Sequence, residues 1–235
     1  MTRIDATRFL PGEGDPIEDA SIVIDGASIS WVGPTAEAPD AETVISTETV
    51  MPGMWDAHAH FLGLTAANLE LLAGIAPQAA ILRSLPDMKA ILNAGFTSVR
   101  EVGGHGTYLA EAVEAGIAPG PWIYAAGAPL SQTGGHADLH GLPVDVVDGV
   151  FERHIGSPTV ADGADDCRRL VRRQLRLGAR VIKVCATGGG MSQIDHPKHQ
   201  HFSDEELEAD VEEAARAERV VSDHCHCKTG IMAAL

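Results

Sequence analysis

From Met51 onward the chain alternates short apolar runs with stretches of helical pattern, and nothing else in it narrows the possible folds as much. The runs near 54–60, 97–102, 121–126, 180–185 and 219–225 have strand length. Between them, Asp87 to Ala94 and Thr107 to Ala115 each lead into a glycine, Gly95 and Gly116, that suits a helix stop. Cys167, Leu170, Val171, Gln174 and Leu175 recur at helical spacing, which predicts an amphipathic helix over 162–177 that ends at Gly178. Ser203-Asp-Glu-Glu206 is a capping box, so a further helix is expected over 204–218. Strands separated by helices pair in parallel, because a parallel pair needs a long crossover. Five such strands suit either an open doubly wound sheet or part of a (β/α)8 barrel. No GxGxxG follows the first strand and no GxxxxGK[ST] occurs, which argues against a nucleotide-binding sheet. The barrel reading has its own difficulty, since a complete barrel uses about 250 residues and fewer than that follow Met51.

The first 50 residues have a different texture. Ser21 to Val32 alternates apolar with polar residues around Asp25-Gly26, a hairpin signature, and Glu42 to Val50 is a second β-prone piece. These assign a small β lobe to residues 1–50 and the βα region to 51–235. The stretch from Leu130 to Thr159 is rich in Gly, His and Pro and fits a functional or a disordered loop.

Composition then excludes partners. Seventeen basic residues stand against 33 acidic ones, a net charge of −16, with no basic run longer than a pair, so neither nucleic acid nor an anionic membrane surface is an expected partner. A small molecule or dipeptide is. No apolar stretch approaches the ~20 residues of a spanning helix, and the N-terminal residues lack a leader pattern. Four cysteines, all after position 166, do not staple a secreted domain, and a cytoplasmic location is expected.

Three motifs carry chemistry. In Trp55-Asp-Ala-His58-Ala-His60, two histidines two apart at a strand end share a face and can share a divalent metal, although such a pair alone serves structural histidines equally well. In Val181-Ile-Lys183-Val-Cys-Ala-Thr-Gly-Gly-Gly190, a lysine sits inside an apolar strand, where it must be paired, snorkel or be neutralised. Val220-Val-Ser-Asp-His224-Cys-His226-Cys227 repeats the His-x-His pattern. Strand alternation would separate its histidines from its cysteines, which disfavours a zinc knuckle.

With Pro52-Gly53 ahead of it, the first motif resembles the opening barrel strand of the amidohydrolase superfamily. Ser131-Gln-Thr-Gly-Gly-His136-Ala-Asp138 and Thr97-Ser-Val-Arg100-Glu-Val-Gly-Gly104 are similar to segments of its subgroup of Xaa-Pro and Xaa-Arg dipeptidases and imidazolonepropionase-like proteins. The resemblance implies a partial (β/α)8 barrel of about five strands, and an N-terminal β lobe belonging to a composite β-sandwich. It implies His58, His60, Lys183 and His224 as ligands of two Zn²⁺ ions, with Lys183 carboxylated by CO₂ to a bridging carbamate. His136, Asp138 and His226 would contact substrate. His196, His199 and His201 read as solvated, and His105, His140 and His154 receive no role.

The implied activity is cleavage of an amide or peptide bond by a metal-bridging hydroxide. The family's catalytic Asp belongs to an eighth strand, which would lie beyond Leu235, so no catalytic base is assigned within the chain and the segment alone is expected to be incomplete. A homo-oligomer or a complementing C-terminal fragment is the expected protein partner, because an unclosed strand edge associates readily. Two alternatives stay open: a mononuclear cyclic-amide hydrolase or deaminase in which Lys183 is ordinary, and a non-catalytic binding or assembly module.

Overall fold

The structure is a computed structural model that describes residues 1–153, 156–190 and 192–235. Its chain divides into two compact units, Met1–Gly53 and Met54–Leu235.

The first unit is a four-stranded sheet. Strands β1 (Thr2–Phe9), β2 (Ile17–Asp25), β3 (Ser28–Pro34) and β4 (Thr43–Val50) lie in the order β3-β2-β1-β4. The β2–β3 hairpin turns at Gly26, whose φ of +59° is the left-handed geometry a tight hairpin turn requires. β1, which the sequence pattern did not announce, pairs antiparallel with β2 and parallel with β4.

The second unit alternates strands and helices: β5 (Met54–Ala59), α1 (Pro77–Asn93), β6 (Phe96–Glu101), α2 (Gly106–Glu114), β7 (Trp122–Ala125), β8 (Leu130–Ser131), α3 (Val144–Arg153), β9 (Thr159–Val160), α4 (Ala164–Arg176), β10 (Ile182–Val184), α5 (Asp204–Ala215), β11 (Val221–Asp223) and α6 (Lys228–Ala233). All of its strand pairings are parallel, in two sheets ordered β5-β6-β7 and β11-β10-β8-β9. The Arg180 N–H donates to the Ala125 carbonyl (2.8 Å), which joins the end of β7 to the approach of β10. The five strands read from the sequence therefore follow one another around an arc in chain order. A doubly wound sheet would reverse direction at its switch point; a barrel wall does not. The α/β class, the parallel strands and the small N-terminal β sheet are as expected.

Three differences have physical causes. α1 begins at Pro77, ten residues before the helix read from Asp87, because Pro86 lies inside it on the exposed side and gives up one backbone bond without ending the helix. β10 and β11 are three-residue strands, shorter than the apolar runs that suggested them, since their flanks bend into the loops that carry the polar residues. The stretch 130–159 is not a single loop: it holds β8, α3 and β9.

Helices cover the outer faces of the strands. Phe61, Met88, Val99, Leu109 and Ile123 form one buried cluster between α1, α2 and the first sheet. Leu130, Cys167, Leu170, Ile182, Phe202 and Leu207 form another under α4 and α5. No helix among the described residues is long and apolar enough to cross a membrane.

The capping box forms as read: Ser203 Oγ accepts from the Glu206 N–H (3.3 Å), and Glu206 Oε2 accepts from the Ser203 N–H (2.8 Å). Glu206 Oε1 also accepts from the Gly163 N–H at the start of α4 (2.7 Å). Ser203→Ala is expected to cost about 1 kcal/mol. Glu206→Ala should cost more, because it frees donors at two helix starts. Urea midpoints of the two variants check the order.

Candidate metal centre

The C-terminal ends of β5, β10 and β11 meet at a cavity of about 790 Å³. His58 lies on β5 and His60 one residue past it; their rings approach edge to face with centroids 5.1 Å apart. A carbonyl only accepts, so the 2.8 Å contact between His60 Nδ1 and Gly103 O places the proton on Nδ1. Nε2 is then left as the lone-pair nitrogen, the arrangement that orients a ligating histidine. Burial lowers the pKa of both rings; the other histidine and Lys183 add to this for His58, whereas the Gly103 bond opposes it for His60.

Lys183 is the central residue of β10 and is 5% exposed. Burial lowers its pKa, against the pull of Cys185, Asp223 and Cys225. His224 follows β11, held by its N–H to the Val184 carbonyl (3.0 Å). Among the described residues its Nε2 is buried without a hydrogen-bond partner, and burial followed by repulsion from His136 and Lys183 brings its pKa down to about 4. His136 stacks flat on His224, with centroids 4.1 Å apart and planes at 15°. Gly189 leaves room for that ring: a Cβ there would fall on the His136 imidazole.

Of the seven site residues named from the sequence, six line this cavity: His58, His60, His136, Asp138, Lys183 and His224. Asp138 spends Oδ2 on the Gly134 N–H (2.8 Å), bracing the loop that carries His136. His226 lies outside the lining. It meets the edge of His224 (4.6 Å, 86°) and donates its N–H to Thr187 Oγ1 (2.9 Å). The chain has left the strand by then, so the alternation expected for residues 224–227 does not hold. Instead the Cys225 thiol donates to Asp223 Oδ2 (2.6 Å), and Cys227 caps α6. His154 lies outside the described residues.

One cluster escaped the sequence reading. Asp195, with a side chain 1% exposed, accepts from the Gly189 N–H (2.8 Å) and stands 3.6 Å from His136 Nδ1 and 3.8 Å from His201 Nε2. Ser192 Oγ completes the grip on His136 Nδ1 (2.6 Å). His201 is therefore buried, not solvated, because the loop after β10 folds back over the cavity; His196 and His199 are exposed as expected. No local spacing marks Asp195, whose role arises from that fold-back.

Among the described residues no three His, Cys, Asp or Glu side chains are gathered as a metal-ligand group. His58, His60, Lys183 and His224 instead line one cavity at the strand ends. That set fits a divalent metal on two conditions: the imidazole nitrogens must be free, as the fixed tautomer of His60 and the unpartnered Nε2 of His224 provide, and the lysine must carry an anionic group.

The sequence pattern of the Amidohydrolase family matches residues 49–235. The chain belongs to that family. Ochratoxinase of Aspergillus niger is 40% identical over an alignment of 250 positions that takes in 100% of this chain and 52% of that protein. The crystal structure of A. niger ochratoxinase superposes with a TM-score of 0.92 at 38% identity, over 99% of this chain and 57% of that one. A prolidase complexed with N-methylphosphonate-L-proline gives 0.88 at 35% identity, over 99% and 58%. The chain thus spans about half the length of the curated ochratoxinase it matches.

Near this centre, Glu101 ends β6. It is fully buried, packed on Gly104 and Gly106, with the Phe61 N–H donating to Oε1 (3.4 Å). Burial outweighs that bond and pushes its pKa up to about 8, so at pH 7 it holds its proton. An unfolded-chain glutamate titrates near 4.5, so between about 4.5 and 8 the folded state binds more protons and stability falls as pH rises. Glu101→Gln is expected to remove this slope. Between pH 5 and pH 8 the wild type should lose about 3–4 kcal/mol more than the variant, read from urea midpoints at the two pH values.

Proposed function

We propose that the whole protein is a metal-dependent hydrolase of amide or peptide bonds, dipeptidase-like or prolidase-like, with His58, His60, Lys183 and His224 holding two divalent ions, Zn²⁺ by ligand chemistry. The observation that carries this is convergence: four residues from three parallel strands, far apart in sequence, line one cavity at the strand ends. Metals bound there would polarise the substrate carbonyl as Lewis acids and bring a water's pKa towards neutrality.

The chain's own residues do the rest. His60, tied to Gly103, presents Nε2 in one orientation. His58, His60 and His224 are kept neutral by their lowered pKa values, so protons do not compete for their lone pairs at pH 7. Lys183 is the residue that separates the binuclear reading from a mononuclear one. An ammonium 5% exposed beside three histidines is poorly placed as an ordinary lysine, and its lowered pKa favours the free amine that combines with CO₂. His136, gripped by Ser192 and Asp195 on one side and backed by His224, is the rigid polar group of the wall against which a substrate rests. The similarity to a prolidase and to ochratoxinase supports the same bond class.

The test is hydrolysis of a panel of Xaa-Pro and Xaa-Arg dipeptides and N-acyl amino acids by the whole protein with Zn²⁺ and bicarbonate. Turnover that disappears on chelation supports the reading. Turnover unaffected by chelation, or none on any amide, contradicts it.

A further inference from the structure

The cavity lined by the histidines and Lys183 also has an apolar part to its wall. Leu62, Leu64 and Leu69, on the segment that follows β5, and Leu139, on the segment that follows β8, line it. The first three are half-buried, and they do not stand alone: they pack against a buried cluster of Leu72, Leu139, Val147 and Val150, so each leucine is anchored on one side in a core and bordered on the other by the cavity. A leucine held in this way keeps its position without a ligand and offers apolar area that water covers poorly.

Resting on the metal-centre reading above, we infer that this wall is a specificity subsite: it receives a bulky apolar group on one flank of the scissile amide and selects against small flanks. The wall is continuous with the cavity that holds the proposed ligands, so a group lying on it belongs to the same bound molecule. The four leucines carry no charge, but Glu70, Asp87 and Asp138 line the same cavity, so the wall selects by size and not by charge. A hydrophobic pocket discriminates by roughly 10- to 200-fold for a methylene-sized difference, and a whole aromatic or branched side chain should reach at least the lower end of that range.

The experiment is calorimetric binding by the whole metal-loaded protein of three probes: N-acetyl-L-alanine, N-phenylacetyl-L-alanine with its apolar group on the acyl side, and N-acetyl-L-phenylalanine with it on the amine side. One of the two aromatic probes is expected to bind at least tenfold tighter than N-acetyl-L-alanine. Leu64→Asp should reduce that preference to threefold or less with metal content unchanged, and Leu64→Ala, which adds no charge, should reduce it part-way. Binding of all three probes within threefold, binding of none, or a preference that survives both substitutions overturns the inference. Hydrolysis of the same probes is read separately: selective binding without turnover leaves the subsite standing and counts against the proposed reaction.

Discussion

Replacing Lys183 with alanine in the whole protein is expected to lower kcat/KM by on the order of 10³-fold or more, with loss of bound metal and retention of the fold. The reasoning is electrostatic. Three neutral imidazoles bring no negative charge to two divalent ions, and Lys183 is the one residue among the four proposed ligands that can acquire it. Lys183→Arg should fail as badly, because a guanidinium stays charged and does not take up CO₂. A short carboxylate such as acetate, small enough to enter the space vacated in Lys183→Ala, should restore part of the activity and of the metal content. Circular dichroism and metal analysis separate this outcome from simple unfolding: the lost group is buried, but the neighbours of Lys183 on β10, Ile182 and Val184, keep the strand's packing. An ordinary structural lysine would give a variant that keeps its metal.

The largest stability effect is expected at Phe61. This fully buried ring follows His60 directly and packs among Met88, Val99, Leu109 and Ile123. Its backbone is committed as well, with the N–H donating to Glu101 and the carbonyl accepting from the His105 N–H (2.8 Å). Phe61→Ala should cost about 3–5 kcal/mol through lost burial and the cavity left behind, a large part of a typical domain's stability. Because the same residue fixes the end of β5, the variant should also bind metal more weakly than its loss of stability alone explains. Urea unfolding with and without Zn²⁺ reads both. Phe61→Leu, which keeps most of the volume, should recover most of each loss.

Lys183 marks what the sequence made legible. Local signals carried furthest: the capping box at Ser203, the glycine after α4 at position 178, where φ is +93°, and the strand-end position of His58 and His60 depend only on neighbours a few residues away. Lys183 was conspicuous because a charge inside an apolar run contradicts its surroundings. Tertiary placement was less accessible. Asp195 looks like any loop aspartate until the loop after β10 folds over the cavity and buries it against His136 and His201. The leucine wall after β5 reads as a run of apolar residues with no partner, since its partners lie some 70 residues later on the segment that includes Leu139 and Val147. Pro86 hid the first ten residues of α1, as a proline in a helix interior reads as a stop. Even the proposed ligand set came together through resemblance, each pair or single residue being ambiguous by itself; in the structure all four line one cavity.

The proposed binuclear centre joins His58, His60, Lys183 and His224, with Lys183 as its carbamate. The most direct measurement is metal content per chain of the whole protein, prepared with Zn²⁺ and ¹³C-bicarbonate, alongside the ¹³C spectrum of the same sample. Two metals per chain and a protein-bound carbamate resonance are expected, both lost in Lys183→Ala. One metal or none per chain with no carbamate signal, or two metals that persist in Lys183→Ala, would contradict it.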